Sequence, residues 1–336
     1  MRTSAVLIPL IALAVGVLIH HWPRSCLCHI SQRLDGRVAL VTDGPSFMGP
    51  ELTAELARRG ATVLIGCQSR EHFESVRDKV MRLYGADGER VNMDFADEGV
   101  KNYLTPVKES QLKYLPLHLN SLRSIKNFAK DLMNMTNRLD FLINNAAVSH
   151  GPYFTTMDGY ESTMAIGHLA HYLLTDQLQP LLLKTKPNAR IIIISSAEHT
   201  TGSFKKYGFF INYDGFNSVK ALAQVKLANV IHGIILARKF KGSSVIPVSV
   251  HPGYVLPEFG VFIPAIFGIF FKTYWEAGQS VLHLALTPNL QPGGYYSNCQ
   301  LVEPATEAKD EAIIHVPKIA TFQNESSFTI SLSPNI

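Results

Sequence analysis

The stretch that most constrains this chain is Arg37-Val38-Ala39-Leu40-Val41-Thr42 together with the twenty or so residues after it. The short apolar run reads as a buried strand, and the succeeding Asp43-Gly44-Pro45-Ser46 is turn-rich. Glu51-Leu52-Thr53-Ala54-Glu55-Leu56-Ala57-Arg58-Arg59-Gly60 then has helical spacing with a glycine stop, and Ala61-Thr62-Val63-Leu64-Ile65-Gly66 is a second buried strand. A strand, loop, helix and strand in this order open a doubly wound α/β sheet. Leu139-Asp140-Phe141-Leu142-Ile143, Ile191-Ile192-Ile193-Ile194 and Val245-Ile246-Pro247-Val248-Ser249-Val250 supply further strands. The segment between about Tyr84 and Lys113 is polar and uneven, as expected of a surface insertion.

With 336 residues, 46% of them hydrophobic and 17% charged, the chain suits one large domain with extra segments. Its 31 basic and 27 acidic residues are scattered, so no nucleic-acid partner is expected. Cys26, Cys28, Cys67 and Cys299 lack zinc-ligand spacing and the density of a disulfide scaffold. They read as thiols in a reducing compartment, with no metal expected; Cys26-Leu27-Cys28 is also a candidate for S-palmitoylation.

Ala5 to Ile19 is an uninterrupted apolar run followed by His20-His21-Trp22. At 1.5 Å per residue the run reaches about 22 Å, and the flanking residues bring it towards the roughly 30 Å of a bilayer core. A cleaved signal peptide is the competing reading, but no small-x-small cleavage site follows Ile19. Arg2 precedes the run whereas Arg24, Arg33 and Arg37 follow it, which favours a retained anchor with the domain in the cytosol, at the endoplasmic reticulum or a lipid droplet. Two sequons, Asn134-Met135-Thr136 and Asn324-Glu325-Ser326, are then chance matches. The expected division is an anchor over 1–22, a linker over 23–35, the Rossmann-like domain over 36–305 and a tail over 306–336.

Several stretches resemble the short-chain dehydrogenase/reductase family, especially its retinol-dehydrogenase-like members. Leu139 to Ala147, reading Leu-Asp-Phe-Leu-Ile-Asn-Asn-Ala-Ala, is similar to the family strand ending in Asn-Asn-Ala-Gly, and Lys226-Leu227-Ala228-Asn229-Val230 to part of its active-site helix. The likeness runs from about Gly36 to Val302. It implies a Rossmann-like fold, NADP or NAD as cofactor, Ser196 and Lys226 as retained catalytic positions, and Thr42, Gly44, Gly49, Asn144, Pro252 and Gly253 as cofactor-binding positions.

Set against the family's patterns, Leu222 replaces the Tyr of Tyr-x-x-x-Lys, four residues before Lys226 on one helix face. Gly167 replaces the Asn that supports the proton relay, and His118 the Asp that contacts adenine. In the phosphate loop, patterned Thr-Gly-x-x-x-Gly-x-Gly, Asp43 and Phe47 replace the first two glycines while Gly49 keeps the third, although a shifted register using Gly44 and Gly49 would restore part of it. Pro257 replaces the Thr that helps hold the nicotinamide. Gln68 stands where an Arg favours NADP, with Arg70 nearby, and Phe259 to Phe271 is an apolar stretch in the region that caps the substrate pocket.

The resemblance with these losses implies a membrane-anchored family member with impaired catalysis and weakened NADP or NAD binding, acting as a pseudoenzyme that binds a lipid-like small molecule or a partner. The alternative is an active NADP(H)-dependent oxidoreductase on retinoid, steroid or other lipid alcohols or carbonyls, with its proton donor relocated to a residue such as Tyr207 or Tyr213.

Overall fold

The structure, a computed structural model, describes residues 26–46, 48–90, 98–148, 151–255, 271–314, 320–321 and 329–330. The anchor expected over 1–22, Phe47, Pro257, most of the apolar stretch after it and the second sequon lie outside the described residues. β1 (Val38–Thr42) leads through a tight loop into α1 (Gly49–Arg58), then β2 (Thr62–Cys67), α2 (Arg70–Tyr84), β3 (Leu112–Pro116), α3 (Leu122–Met135) and β4 (Phe141–Asn144). The alternation continues with α4 (Ala170–Gln177), β5 (Ala189–Ile194), α5 (Ser218–Lys239), β6 (Val245–His251) and α6 (Tyr274–Leu286), and closes with β7 (Tyr295–Ser297) and β8 (Gln300–Val302).

The sheet runs β3-β2-β1-β4-β5-β6-β7-β8, all parallel except β8, which pairs antiparallel with β7. The strand order reverses between β1 and β4, so a crevice opens over the carboxyl ends of those strands, where ligands of doubly wound sheets bind. The strands are nearly continuous in apolar residues because helices cover both faces. Leu52, Leu56, Phe73 and Val281, from α1, α2 and α6, pack in one cluster, and Ile125, Phe128, Leu132 and Leu173, from α3 and α4, in another. Side-chain caps fix the helix starts: Ser69, Ser121 and Asn217 accept backbone N–H groups from His72, Ser124 and Lys220, and Thr273 forms a reciprocal box with Glu276.

α5 is apolar and long enough to cross a membrane, but most of it is buried: Val225, Leu227, Ala228, Val230 and Ile231 form a third cluster and the helix packs against β6. It is a core helix. The segment expected to be a linker is packed from Cys26 onward, with Cys28 and Leu34 buried and Leu34 N–H donating to the Arg59 carbonyl. The residues expected to be a tail begin with a 3-10 turn at Thr306–Lys309 and a helical turn at Glu311–Ile314, whose Ala308, Ile313 and Ile314 join the third cluster. In both places single apolar residues, too sparse to show a period, supply the burial. The reading of the cysteines as free thiols is corrected, because Cys26 and Cys299 form a disulfide across 273 residues of sequence. Cys28 is a buried thiol, so neither cysteine of the expected palmitoylation pair is open to acylation.

Gly49, the first residue of α1, meets the turn before it so closely that a Cβ there would lie 2.2 Å from the Gly44 carbonyl oxygen and 2.9 Å from the Gly44 Cα. Backbone cannot yield as a side-chain tip can. Gly49→Ala is therefore expected to lower stability by about 1–3 kcal/mol, the usual cost of overpacking, read as a lower urea midpoint at unchanged slope; an unchanged midpoint would show that the loop has slack.

Candidate active site

The first loop is held from β4. The Thr42 hydroxyl accepts N–H bonds from Asn145 (2.9 Å) and Ala146 (3.2 Å) and lies 2.9 Å from His171 Nε2. Asn145 Nδ2 donates to the carbonyls of Thr42, Asp43 and Ser46 at 3.2–3.4 Å. Asn144, the position expected to bind cofactor, points into the core and donates to Thr175 Oγ1 at 3.2 Å. Alternation along β4 explains the exchange, since successive side chains leave a strand on opposite faces. Sequence reasoning misses Asn145; its one signal is its place at the end of a buried strand that leads to the switch in strand order.

At Asp43 the backbone adopts φ +51°, a left-handed conformation that favours glycine and that Asp tolerates better than most side chains. The turn closes on itself: Ser46 N–H donates to the Asp43 carbonyl and Gly49 N–H to the Ser46 carbonyl, both at 3.0 Å. Gly44 is buried, and a Cβ there would sit 2.3 Å from Ile65 Cγ2. Two carboxyl groups flank the loop. Burial pushes the Asp43 carboxyl above its ordinary range, against a stabilising bond from Ser46. Glu51, buried in the first turn of α1, accepts from Tyr84 Oη at 3.0 Å. A dinucleotide pyrophosphate takes N–H groups and the positive end of this helix, so turn amides already bonded and carboxyl groups of the wrong sign fit it poorly. The shifted register does not lift that conflict, because Gly44 and Gly49 are spent on packing against Ile65 and against each other. His118, at the adenine position, is exposed, and Arg70 lies over the Tyr114 ring at 5.2 Å.

The reaction side is organised by α5. Ser195 Oγ donates to the Lys226 carbonyl at 2.8 Å, while Ser196 Oγ caps the following 3-10 turn by accepting the Glu198 N–H at 3.2 Å. Asn229 ties three elements together. Its Nδ2 donates to the carbonyls of Gly167 (3.2 Å) and Ile194 (3.0 Å), its Oδ1 lies 2.9 Å from His168 Nδ1, and its carbonyl accepts from Ser249 Oγ at 3.1 Å. Gly167 lies within a π-helical turn, Ala165–Leu169. A Cβ at Gly167 would meet Val225 Cγ1 at 2.7 Å, so the room an Asn needs is filled by Val225.

Lys226 is 7% exposed and, among the described residues, its Nζ makes no hydrogen bond. Burial pushes its ammonium down to about 8, opposed by the charge of Glu198. Leu222 is half-buried one turn earlier on the same helix. Tyr207 does not stand in: its ring lies beside Lys206 and Lys220, with Nζ 5.1 and 5.2 Å from the centroid, and Lys220 precedes Lys226 by about 9 Å of helix. Tyr213 is 73% exposed and packs on Tyr153. Beyond β6, Gly253 has φ +110°, and a Cβ would meet Lys272 Cδ at 2.5 Å. Lys272 Nζ reaches Asn298 Oδ1 at 3.2 Å and Ser280 Oγ at 3.4 Å. Ser196, Lys226, Pro252 and Gly253 thus gather at the carboxyl ends of β5 and β6. A separate cavity of about 590 Å³ lies at the other end of the sheet, lined by residues such as Arg238, Val245, Pro292 and Glu303, and takes in none of these residues.

The sequence model of the short-chain dehydrogenase family matches residues 80–213. The chain is 34% identical to retinol dehydrogenase 14 of Mus musculus over 302 residues, covering 83% of each chain, and 32% identical to retinol dehydrogenase 11 of Homo sapiens over 318 residues, covering 91% of each. The chain therefore belongs to the short-chain dehydrogenase/reductase family, among its retinol-dehydrogenase-like members. Solved structures share the fold: an uncharacterized protein from Mycobacterium paratuberculosis (TM-score 0.63, 24% identity, covering 86% of this chain and 92% of that one) and the NADPH-bound carbonyl reductase from chicken fatty liver (TM-score 0.56, 18% identity, 81% and 100%).

Burial leaves the histidines around α4 and α5 neutral: it pushes His168 down to about 4, His171 to about 3 and His232 well below its ordinary value. Unfolded histidines take up protons near pH 6.5, so between about pH 6.5 and 4 the unfolded chain binds more protons and stability falls with acid. Each tenfold difference in proton affinity between the folded and unfolded chain is worth about 1.4 kcal/mol per group, so a loss of several kcal/mol is expected across that window. Melting temperatures measured from pH 7 to 4.5 should decline steadily; a flat profile would mean these histidines are accessible to protons in the folded protein.

Proposed function

We propose that this protein is a family member of oxidoreductase descent whose proton transfer is impaired, and that it serves by binding a lipid-like small molecule or a partner protein. The observation that carries this reading is the replacement of the proton donor by Leu222 beside a buried Lys226 that has no phenol to act on. The rest of the site has closed around the losses, with Val225 in the space of the relay Asn and Asp43 in the left-handed position of the first loop glycine. NADP or NAD is the family's cofactor; Thr42, Gly44, Gly49, Asn144, Pro252 and Gly253 are the positions through which it would be held. In this chain Thr42 and Asn144 are occupied within the protein, and the loop bears carboxyl groups, which supports weak binding. The N-terminal apolar stretch serves as an anchor at the endoplasmic reticulum or a lipid droplet.

The active alternative, an NADP(H)-dependent oxidoreductase on retinoid, steroid or other lipid carbonyls, requires another acid within reach of Ser196. Tyr254 is the described residue that keeps it open: it is 49% exposed, packs edge-on against His251 and feels the charge of Glu198, which also acts on Lys226.

Rebuilding the lost groups tests the proposal. Leu222→Tyr is expected to raise NADPH oxidation with a retinal-like aldehyde, and Gly167→Asn to add to it only when combined with Val225→Ala. The full gain approaches the roughly 10²–10⁴ that a positioned acid contributes. A parent chain already as fast as the rebuilt one, and slowed by Tyr254→Phe, would establish the active alternative.

A further inference from the structure

The Cys26–Cys299 bond lies between the start of the folded domain, just past the apolar N-terminal stretch, and the β7–β8 turn. The surrounding contacts show a built junction. Cys26 N–H donates to Asn298 Oδ1 at 3.0 Å, Asn298 also receives Lys272 Nζ, and Cys28 N–H donates to Gln279 Oε1 at 3.3 Å. Asn298 and Cys299 form the two-residue turn between β7 and β8, with φ +48° and +63° as such hairpin turns require. Such bonds persist in oxidising compartments and are rare in the cytosol. A second observation, remote from the first, points the same way. The sequon Asn134-Met135-Thr136 ends α3 on the surface. Asn134 is exposed, as a glycan acceptor must be in the folded protein.

We infer that the folded domain lies in the lumen of the secretory pathway, where Cys26 and Cys299 are oxidised to a disulfide and Asn134 carries an N-linked glycan. Two thiols give up two protons and two electrons to a luminal protein disulfide, which is reduced to a dithiol as the S–S bond forms. At Asn134 the side-chain nitrogen bonds to the anomeric carbon of a lipid-linked oligosaccharide; that carbon's bond to the lipid diphosphate breaks and the amide proton is lost to base. The transfer acts on the chain before it folds, so the folded protein need only leave the position open, and the exposed end of α3 does. Of the two sites proposed above for the anchor, the placement keeps the endoplasmic reticulum and excludes a lipid-droplet monolayer, which encloses no lumen. The excess of Arg24, Arg33 and Arg37 over Arg2 opposes it, but that bias is a tendency, whereas a structural disulfide requires an oxidant. The inference rests on the N-terminal stretch as a membrane anchor or signal and is independent of whether the site is active.

The test uses the full chain expressed in mammalian cells and recovered in sealed microsomes. The domain is expected to resist added protease until detergent opens the vesicles, and to show a glycosidase-sensitive gel shift that is lost in both Asn134→Gln and Thr136→Ala and kept in Thr136→Ser. Cys26 and Cys299 are expected to resist alkylation under denaturing conditions until a reductant is added. Digestion in sealed vesicles or a wild-type chain without a glycosidase-sensitive shift would overturn the inference, whereas a shift lost only in Asn324→Gln would support the luminal placement and overturn the assignment of the glycan to Asn134. So would alkylation of both thiols without reductant, or their release by a chelator, which would indicate a metal shared with His283, whose ring nitrogen lies within 4.8 Å of both sulfurs.

Discussion

The hydroxyl of Thr42 is the point on which the crevice depends. It ends β1, accepts from the backbone of β4's extension and meets His171 from α4, so one buried atom joins two strands and a helix at the switch in strand order. Asn145 completes the junction by holding three carbonyls of the first loop. With β1 and β4 locked at their carboxyl ends, the loop between β1 and α1 has one course, and Gly49 must pack directly on Gly44. The groups that would face a cofactor are set by this internal bonding, which leaves the buried Oδ1 atoms of Asn144 and Asn145 without a partner among the described residues.

The same logic governs the reaction side. Asn229 fixes α5 to β5, β6 and the π-helical turn before α4, which brings Ser196 and Lys226 to one end of the sheet. That scaffold survives intact. It presents Leu222 at the position proposed for the phenol, Gly167 packed against Val225 at the position proposed for the relay Asn, and Lys226, whose ammonium burial pushes down to about 8 and which has no carboxylate bonded to it among the described residues. At Gly167 the neighbouring Val225 leaves no room for a larger side chain, so the packing there is closed.

Much of the architecture is legible in the sequence because it is written in local terms. The apolar runs at 37–42, 61–66, 139–143, 191–194 and 245–250 become β1, β2, β4, β5 and β6, and the helix ending at Gly60 becomes α1 within a residue or two. The site is legible only where residue identity decides the chemistry, as at Leu222 and Gly167. It is not legible where the three-dimensional partner decides. Asn144 and Asn145 are the same residue type side by side, and only the direction of the strand's alternation assigns one to the core and the other to the loop. The same holds for Cys26 and Cys299, whose partnership depends on the β7–β8 turn returning beside the start of the domain. The packing of 306–314 rests on three apolar residues that show no period.

On the proposed function, this chain keeps the fold of an oxidoreductase and lacks its proton transfer. The steady-state consumption of NADPH by the detergent-solubilised full chain with a retinal-like aldehyde, alongside a titration of NADPH binding, probes that separation without any substitution. The expected result is weak binding, at concentrations above the micromolar range, and consumption no faster than in controls without protein. Micromolar binding together with turnover that depends on the aldehyde would contradict it.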